Sequence, residues 1–182
     1  MADRERPDTS TEKGRRSFIH VLNARLPRKR AIAQGLLRSE AGEILLCELT
    51  YKSEWDLPGG VVDPKESPAA CVVREISEEL AAVVDVRGLA AVNWLPPWRG
   101  WDDAVLFLFD LGVVPASFTD DLTLSRRELK GVHWVAPADI ASHVAPYTAR
   151  MLEQVLAELG ESDADGARTA YLENSENPWG TT

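Results

Sequence analysis

Gly60-Val61-Val62-Asp63-Pro64-Lys65-Glu66-Ser67-Pro68-Ala69-Ala70-Cys71-Val72-Val73-Arg74-Glu75-Ile76-Ser77-Glu78-Glu79-Leu80-Ala81-Ala82 is the stretch on which the fold of this chain turns. Ser67-Pro68 opens a helix: Ser67 supplies the N-cap oxygen, and Pro68 takes the first helical position, where a missing N–H costs nothing. On a helical wheel Ala69, Val72, Val73, Ile76 and Leu80 share one stripe, predicted to be the buried face. Glu75, Glu78 and Glu79 recur at i, i+3 and i+4 on a second stripe, predicted to lie roughly opposite. Like charges one turn apart destabilise a helix, and a helix built for stability alone would alternate Glu with Lys or Arg. The pattern therefore asks for a cation. Clustered carboxylate oxygens suit Mg²⁺ or Mn²⁺ better than zinc. The three histidines, His20, His133 and His143, have no metal-ligand spacing.

Working outward, Trp55-Asp56-Leu57-Pro58-Gly59-Gly60 reads as a rigid turn, in which Pro58 fixes one backbone angle and the glycines permit close backbone approach. Residues 31–38 and 43–50 read as two strands joined by a turn at Ser39–Gly42, and 61–63 as a short extended piece. Residues 83–89, 92–95, 104–111 and 131–135 read as further strands. Pro137 and Asp139 open a short helical piece, and 148–159 carries Met151, Leu152, Val155, Leu156 and Leu159 at helical spacing. Residues 17–26 fit a short strand or a helix ended by Pro27. Strands mixed with two or three helices predict an α/β sandwich.

The segment Gly60–Ala82 resembles the Nudix box, G-x5-E-x7-R-E-U-x-E-E-x-G-U, with U a bulky aliphatic residue. Gly60, Glu66, Arg74, Glu75, Ile76, Glu78 and Glu79 match it with the spacing intact. Two positions depart: Ala81 stands where the family has Gly, and Ala82 where it has a larger aliphatic residue. Ala81 can stay helical, so the helix is expected to run on slightly. The resemblance covers about residues 30–158 and implies an α/β/α sandwich around a mixed β-sheet. It also implies hydrolysis of a phosphoanhydride. By the same resemblance Glu75, Glu78 and Glu79 bind divalent ions, helped by the Gly60 carbonyl. Arg74 orients the carboxylates and Glu66 braces the loop against the helix. The general base is Glu79, or an acid of the 119–128 loop (Asp120, Asp121 or Glu128), with Glu128 next after Glu79.

Substrate residues are less sharply marked. Trp94, Trp98 and Trp101 lie in Trp-Leu-Pro-Pro-Trp-Arg-Gly-Trp between two strands; such a loop can stack a base, and Arg99 can hold a phosphate. The same tryptophans equally fit a core cap or a dimer interface. Tyr51 and Trp55 flank the glycine turn and are further candidates. The expected substrate is a nucleoside diphosphate linked to another moiety, such as ADP-ribose, with nucleoside triphosphates next.

Composition bounds the rest. At 182 residues with 45% hydrophobic and 27% charged content, the chain has the make-up of one globular domain. Residues 17–159 form that domain, after a disordered arm at 1–16 and before a flexible acidic tail at 160–182. No apolar run is long enough to span a bilayer, and the N-terminus lacks a secretory core, so the expectation is a cytoplasmic protein with no membrane partner. Cys47 and Cys71 read as buried small hydrophobes in a reducing compartment. A net charge of −9 argues against stable nucleic-acid binding. Residues 1–30 are locally basic, with nine Lys/Arg against four Asp/Glu, and read as a solvated arm or a phosphate-attracting lip. A homodimer is compatible with the chain.

Three rival readings remain. A noncatalytic Nudix-like nucleotide sensor would have a broken glutamate set. An isoprenoid diphosphate isomerase would need a catalytic Cys. A pure interaction module would use the tryptophan loop and leave the glutamates unexplained.

Overall fold

The computed structural model describes residues 9–160 and 169–179. Its elements run α1 (Glu12–Asn23), β1 (Arg30–Ser39), β2 (Ile44–Leu49), β3 (Gly59–Val61), α2 (Pro68–Leu80), β4 (Gly88–Leu95), β5 (Ala104–Val114), β6 (Leu129–Val135), α3 (Pro146–Gly160) and β7 (Ala170–Glu173). Short 3-10 turns occupy Ala116–Thr119 and Pro137–Ser142. The strands form one mixed sheet in the order β6-β2-β1-β5-β4-β7, with β3 paired to β1. β1 runs parallel to β5, and β7 parallel to β4; the other pairings are antiparallel.

Alternation along the central strands produces two cores, because successive side chains leave opposite faces of a sheet. Leu36, Ile44 and Leu46 pack with Met151, Leu152 and Val155 of α3. Leu37, Leu45 and Cys47 pack with Cys71, Val72, Ile76 and Leu80 of α2. The architecture is the expected α/β/α sandwich. Among the described residues no helix is long and apolar enough to cross a membrane.

Several local expectations are corrected. Residues 12–16, read as a disordered arm, are helical; α1 starts at the Thr11 N-cap, whose hydroxyl accepts from Gly14 N–H at 3.1 Å, and it continues through residues 17–23. Residues 1–8 of that arm lie outside the described residues. The two strands read at 83–89 and 92–95 are one strand, β4, and Val83 is 92% exposed. The ladder stops at Gly88↔Asp110, where Arg87 N–H still reaches Asp110 O, and just beyond it β5 shifts register against β1 next to Gly112, φ +89°. The tail contributes a strand: Leu172 of β7 is buried, and Asn93 bonds both the Ser175 hydroxyl and its N–H. Four residues among acidic and small neighbours are too short for a periodic signal. Residues 161–168 and 180–182 of the predicted tail lie outside the described residues.

Two corrections touch the box helix. The Ser67 cap and Pro68 stand as expected, with Ala70 N–H donating to Ser67 Oγ. The helix does not run on, however. Ala81 adopts a left-handed conformation, φ 53° and ψ 32°, and its N–H closes on Ser77 O. The buried arc is also rotated towards the glutamates: Cys71 and Glu79 are inside, whereas Val73 is exposed. An L-residue with a Cβ is strained in the left-handed region, and glycine is not. Ala81→Gly should therefore raise stability by roughly 0.5–1 kcal/mol, read as a higher urea midpoint with an unchanged slope. A lowered midpoint would contradict the left-handed cap.

Candidate active site

The strand registers gather the candidate residues at one end of the sheet. β1 begins there, opposite the start of β5 (Arg30↔Ala104), and β4 ends there (Leu95↔Ala104). β2 ends and β6 begins there too (Leu49↔Leu129). The 51–58 loop, the 96–103 loop and Glu128 therefore share that end. β3 pairs with the first half of β1, as Ala33↔Gly60 and Gln34↔Gly59, and α2 is laid across it.

Glycine is required at Gly59, where an added Cβ would meet backbone, and at Gly60 it leaves room for the Glu75 carboxylate. Gly59 has φ +138°, and a Cβ on it would lie 2.2 Å from Ala33 O. A Cβ on Gly60 would lie 2.5 Å from Glu75 Oε1. The missing side chains let two α2 carboxylates reach the β3 backbone. Glu79 Oε2 accepts from Gly59 N–H at 3.0 Å, and the Glu75 carboxylate rests against Gly60. The Gly60 carbonyl faces Cys71, whose Sγ lies 3.9 Å away.

Arg74 gathers the remaining charge. Its Nε and Nη2 fork onto Glu66 at 2.8 and 3.0 Å, and Nη1 reaches Glu75 and Glu78, both at 2.9 Å. Glu66 also accepts from Asp63 N–H, and these bonds bring its carboxyl down to about 2, Arg74 being the first cause. Glu66 thus ties the 62–66 loop to the helix. Glu75 is half-buried, and burial raises its pKa while Arg74 opposes the shift.

Glu79 differs from its neighbours. It is 6% exposed, and among the described residues no cationic side chain pairs with it. Burial pushes its carboxyl up to about 8 against the opposing Gly59 N–H, and the charges of Glu75, Glu128 and Asp56 add to the rise. Glu128 is brought to the helix by backbone bonds. Ser125 N–H donates to Glu79 O, Thr123 N–H to Leu80 O, and Thr50 N–H to Glu128 O. Asp120 and Asp121 sit beyond this docking point, and no hydrogen bond or ion pair ties their side chains to α2.

The donor set fits a divalent cation in kind: all-oxygen, crowded on one helical turn, with one buried carboxylate carrying excess negative potential. As the side chains stand, no three His, Cys, Asp or Glu among the described residues converge in metal-binding geometry. Arg74 keeps Glu75 and Glu78 turned towards itself and away from Glu79. Binding a cation requires those carboxylates to rotate off the guanidinium.

The aromatic candidates separate. Trp55 is stacked between His133, at 4.1 Å, and His143, at 4.2 Å, so neither ring face is open to a base; it braces β6 against the 137–142 turn. Trp98 and Trp101 close a tight turn whose central residues, Arg99 and Gly100, both have positive φ. Both rings are exposed, with Arg99 over Trp98 and Arg30 over Trp101. Trp94 bonds Asp103. The Arg99 charge is felt at Glu54, so this turn and the 51–56 loop are neighbours. Of the two thiols an isomerase could use, Cys71 is pushed up to about 12 by burial, with Glu66 and Glu75 adding to it, and burial raises Cys47 too. Such a thiol is a poor nucleophile.

Residue-level reading missed Gln34, Lys52, Asp56 and Tyr147. Asp56 lies inside the glycine-turn motif, where the sequence marks only its backbone. Its carboxylate accepts from Gln34 Nε2, Leu57 N–H and Lys52 Nζ.

A family model described as the NUDIX domain matches residues 28–156. A Bacillus subtilis (strain 168) protein named "Putative 8-oxo-dGTP diphosphatase" is 30% identical over 118 residues, covering 64% of this chain and 73% of that protein. Among solved structures, the MutT protein of Methanosarcina mazei Go1 is similar at TM-score 0.63 and 28% identity, over 74% of this chain and 98% of the other. The MutT NUDIX hydrolase of Burkholderia pseudomallei follows at TM-score 0.59 and 25% identity, over 71% and 99%.

The Glu79 environment has a measurable consequence. With divalent ions chelated, the folded chain keeps the Glu79 proton up to about pH 8, whereas the unfolded chain releases it near 4.5. Between those values the folded state binds more protons, so stability falls as pH rises. Urea denaturation in EDTA should show that fall between about pH 5 and 8, with Glu79→Gln flattening it. Identical wild-type and mutant profiles would contradict this assignment.

Proposed function

The chain belongs to the Nudix family and is a pyrophosphohydrolase, and from that premise we propose that it hydrolyses a nucleoside polyphosphate at the carboxylate site of α2. The observation that carries the assignment is Glu79: buried, without a cationic partner among the described residues, anchored on Gly59 N–H and one helical turn from Glu75. A divalent ion such as Mg²⁺ or Mn²⁺, held by Glu75, Glu78, Glu79 and the Gly60 carbonyl, would neutralise phosphate charge and make a water molecule more acidic.

The chain's own residues supply the rest. Arg74 orients Glu75 and Glu78, and Glu66 holds Arg74 in place. Glu79, held on Gly59 N–H beside the proposed ion ligands, is the first candidate to take a proton from the attacking water. Glu128, whose field reaches both Glu75 and Glu79, is the second candidate for that proton. The exposed Trp98-Arg99-Gly100-Trp101 turn offers ring faces and a guanidinium for the nucleoside end. The name borne by the Bacillus subtilis relative supports a nucleoside triphosphate as substrate, and nucleoside diphosphates joined to another moiety, ADP-ribose among them, stand beside it.

Purified protein with Mg²⁺ or Mn²⁺ should turn over at least one member of a panel that includes 8-oxo-dGTP, canonical nucleoside triphosphates and ADP-ribose. Glu79→Gln should lower kcat by about 10²–10⁴-fold, the range for losing a general base. No turnover of any phosphoanhydride by the wild type would sink the reading. Full activity in the mutant would move the base elsewhere, with Glu128→Gln as the next variant.

A further inference from the structure

The group around Asp56 lies outside the proposed ion ligands, and several bonds hold it. Asp56 Oδ1 accepts from Gln34 Nε2 and from Leu57 N–H, each at 3.0 Å, and Oδ2 accepts from Lys52 Nζ at 2.7 Å. Gln34 is itself buried, and its Nε2 also reaches Leu57 O. Bonds on both oxygens fix the orientation of Asp56, and Asp56 in turn fixes the end of a long, flexible lysine. An ammonium has three donors, and this bond uses one. The Lys52 side chain is 29% exposed, so it is partly withdrawn from water.

Position ties this lysine to the site. Gln34 is the register partner of Gly59, and Gly59 N–H holds Glu79. The Asp56 group therefore begins one backbone pair away from the buried glutamate. The Tyr51 phenol lies in the fields of Lys52, Asp56, Glu79 and Glu128 together, and the Tyr147 phenol in those of Asp56 and Lys52. Arg74 already gives its donors to Glu66, Glu75 and Glu78, and Arg30 and Arg99, at the same end of the sheet, lie over the Trp101 and Trp98 rings. A polyanion approaching this end of the sheet meets Glu75, Glu78, Glu79 and Glu128, all repulsive. Lys52 is a fixed positive charge with donors to offer.

We infer that Lys52 is an anion-binding residue that takes a phosphate oxygen of the substrate, and that Asp56 is its positioning residue. The inference rests on the polyphosphate-hydrolase reading above. Lysine acts in such sites as a point charge, which tolerates several phosphate orientations. A half-buried ion pair kept for stability alone is a weak device, because desolvation offsets most of the attraction.

The test is calorimetric titration of the full chain with inorganic pyrophosphate in Mg²⁺, which needs no turnover. Lys52→Met should weaken binding by about 10-fold or more, as expected for a lost charge-assisted bond, and Lys52→Arg should stay within about three-fold of wild type. Asp56→Asn, which keeps the shape but releases the lysine, should fall between them. On whichever nucleotide the wild type hydrolyses, Lys52→Met should raise KM with kcat changed much less. Circular dichroism and the urea midpoint verify that each variant is folded. Folded Lys52→Met binding pyrophosphate as tightly as wild type would overturn the inference. So would an arginine variant as weak as the methionine one, or a wild type that does not bind pyrophosphate. Wild type that binds pyrophosphate through Lys52 but hydrolyses no nucleotide would sink the hydrolase reading and leave the anion site standing.

Discussion

Between the backbone of β3 and the carbonyl of Ala33 there is no space for a methyl group, and between Gly60 and Glu75 there is none either. The two glycines let β3 lie close on β1 and let α2 lie close on β3. From that contact follow the Gly59 N–H bond to Glu79 and the seat of Glu75 against Gly60. Any side chain at Gly59 would meet backbone, which cannot rotate out of the way. The cost would be felt both in the β1–β3 pairing and in the position of the helix.

Charge is managed in two ways on the same helical turn. Glu75 and Glu78, with Glu66 of the preceding loop, share one guanidinium, whose planar fork suits several carboxylates at once and whose single charge offsets part of theirs. Glu79 is given burial and a single amide, and among the described residues no cationic side chain pairs with it. A protein selected for stability would not retain such a group, since burying a carboxylate without a partner disfavours its charged form. Perturbed carboxylates of this kind collect where proton transfer or ion binding is needed. The helix end shows the same tolerance on a smaller scale. Ala81 holds a left-handed cap that glycine would hold without strain, and the turn is kept by the loop bonds from Thr123 and Ser125 to the last turn of α2.

Much of this was legible in the residues because the relevant signals are local. The Ser67-Pro68 cap, the glutamate spacing, the glycine pair and the alternation of β1 and β2 each depend on neighbours within a few positions. What escaped depends on contacts across the sheet. The wheel put Glu79 opposite the core, because nothing in 69–82 reveals that β3 will lie under its glutamate side. The four residues of β7 gain strand character only from pairing with β4, and 83–86 lie beyond the last β4–β5 pair, Gly88↔Asp110. Trp55 reads as a pocket aromatic until His133 and His143, far away in sequence, cover both faces. Asp56 and Lys52 have ordinary surface character on paper, and only Gln34 from another strand shows them to be held.

The central claim is that the buried carboxylate of Glu79, with Glu75 and Glu78, forms a divalent-ion site. Titration of the protein with Mn²⁺, followed by loss of the free-ion electron paramagnetic resonance signal, tests it without any assumption about substrate. The account predicts saturable binding by the wild type, and a loss of more than about 10-fold in affinity when Glu79 and Glu75 are both changed to Gln. Equal Mn²⁺ binding by the wild type and the folded double variant would contradict it.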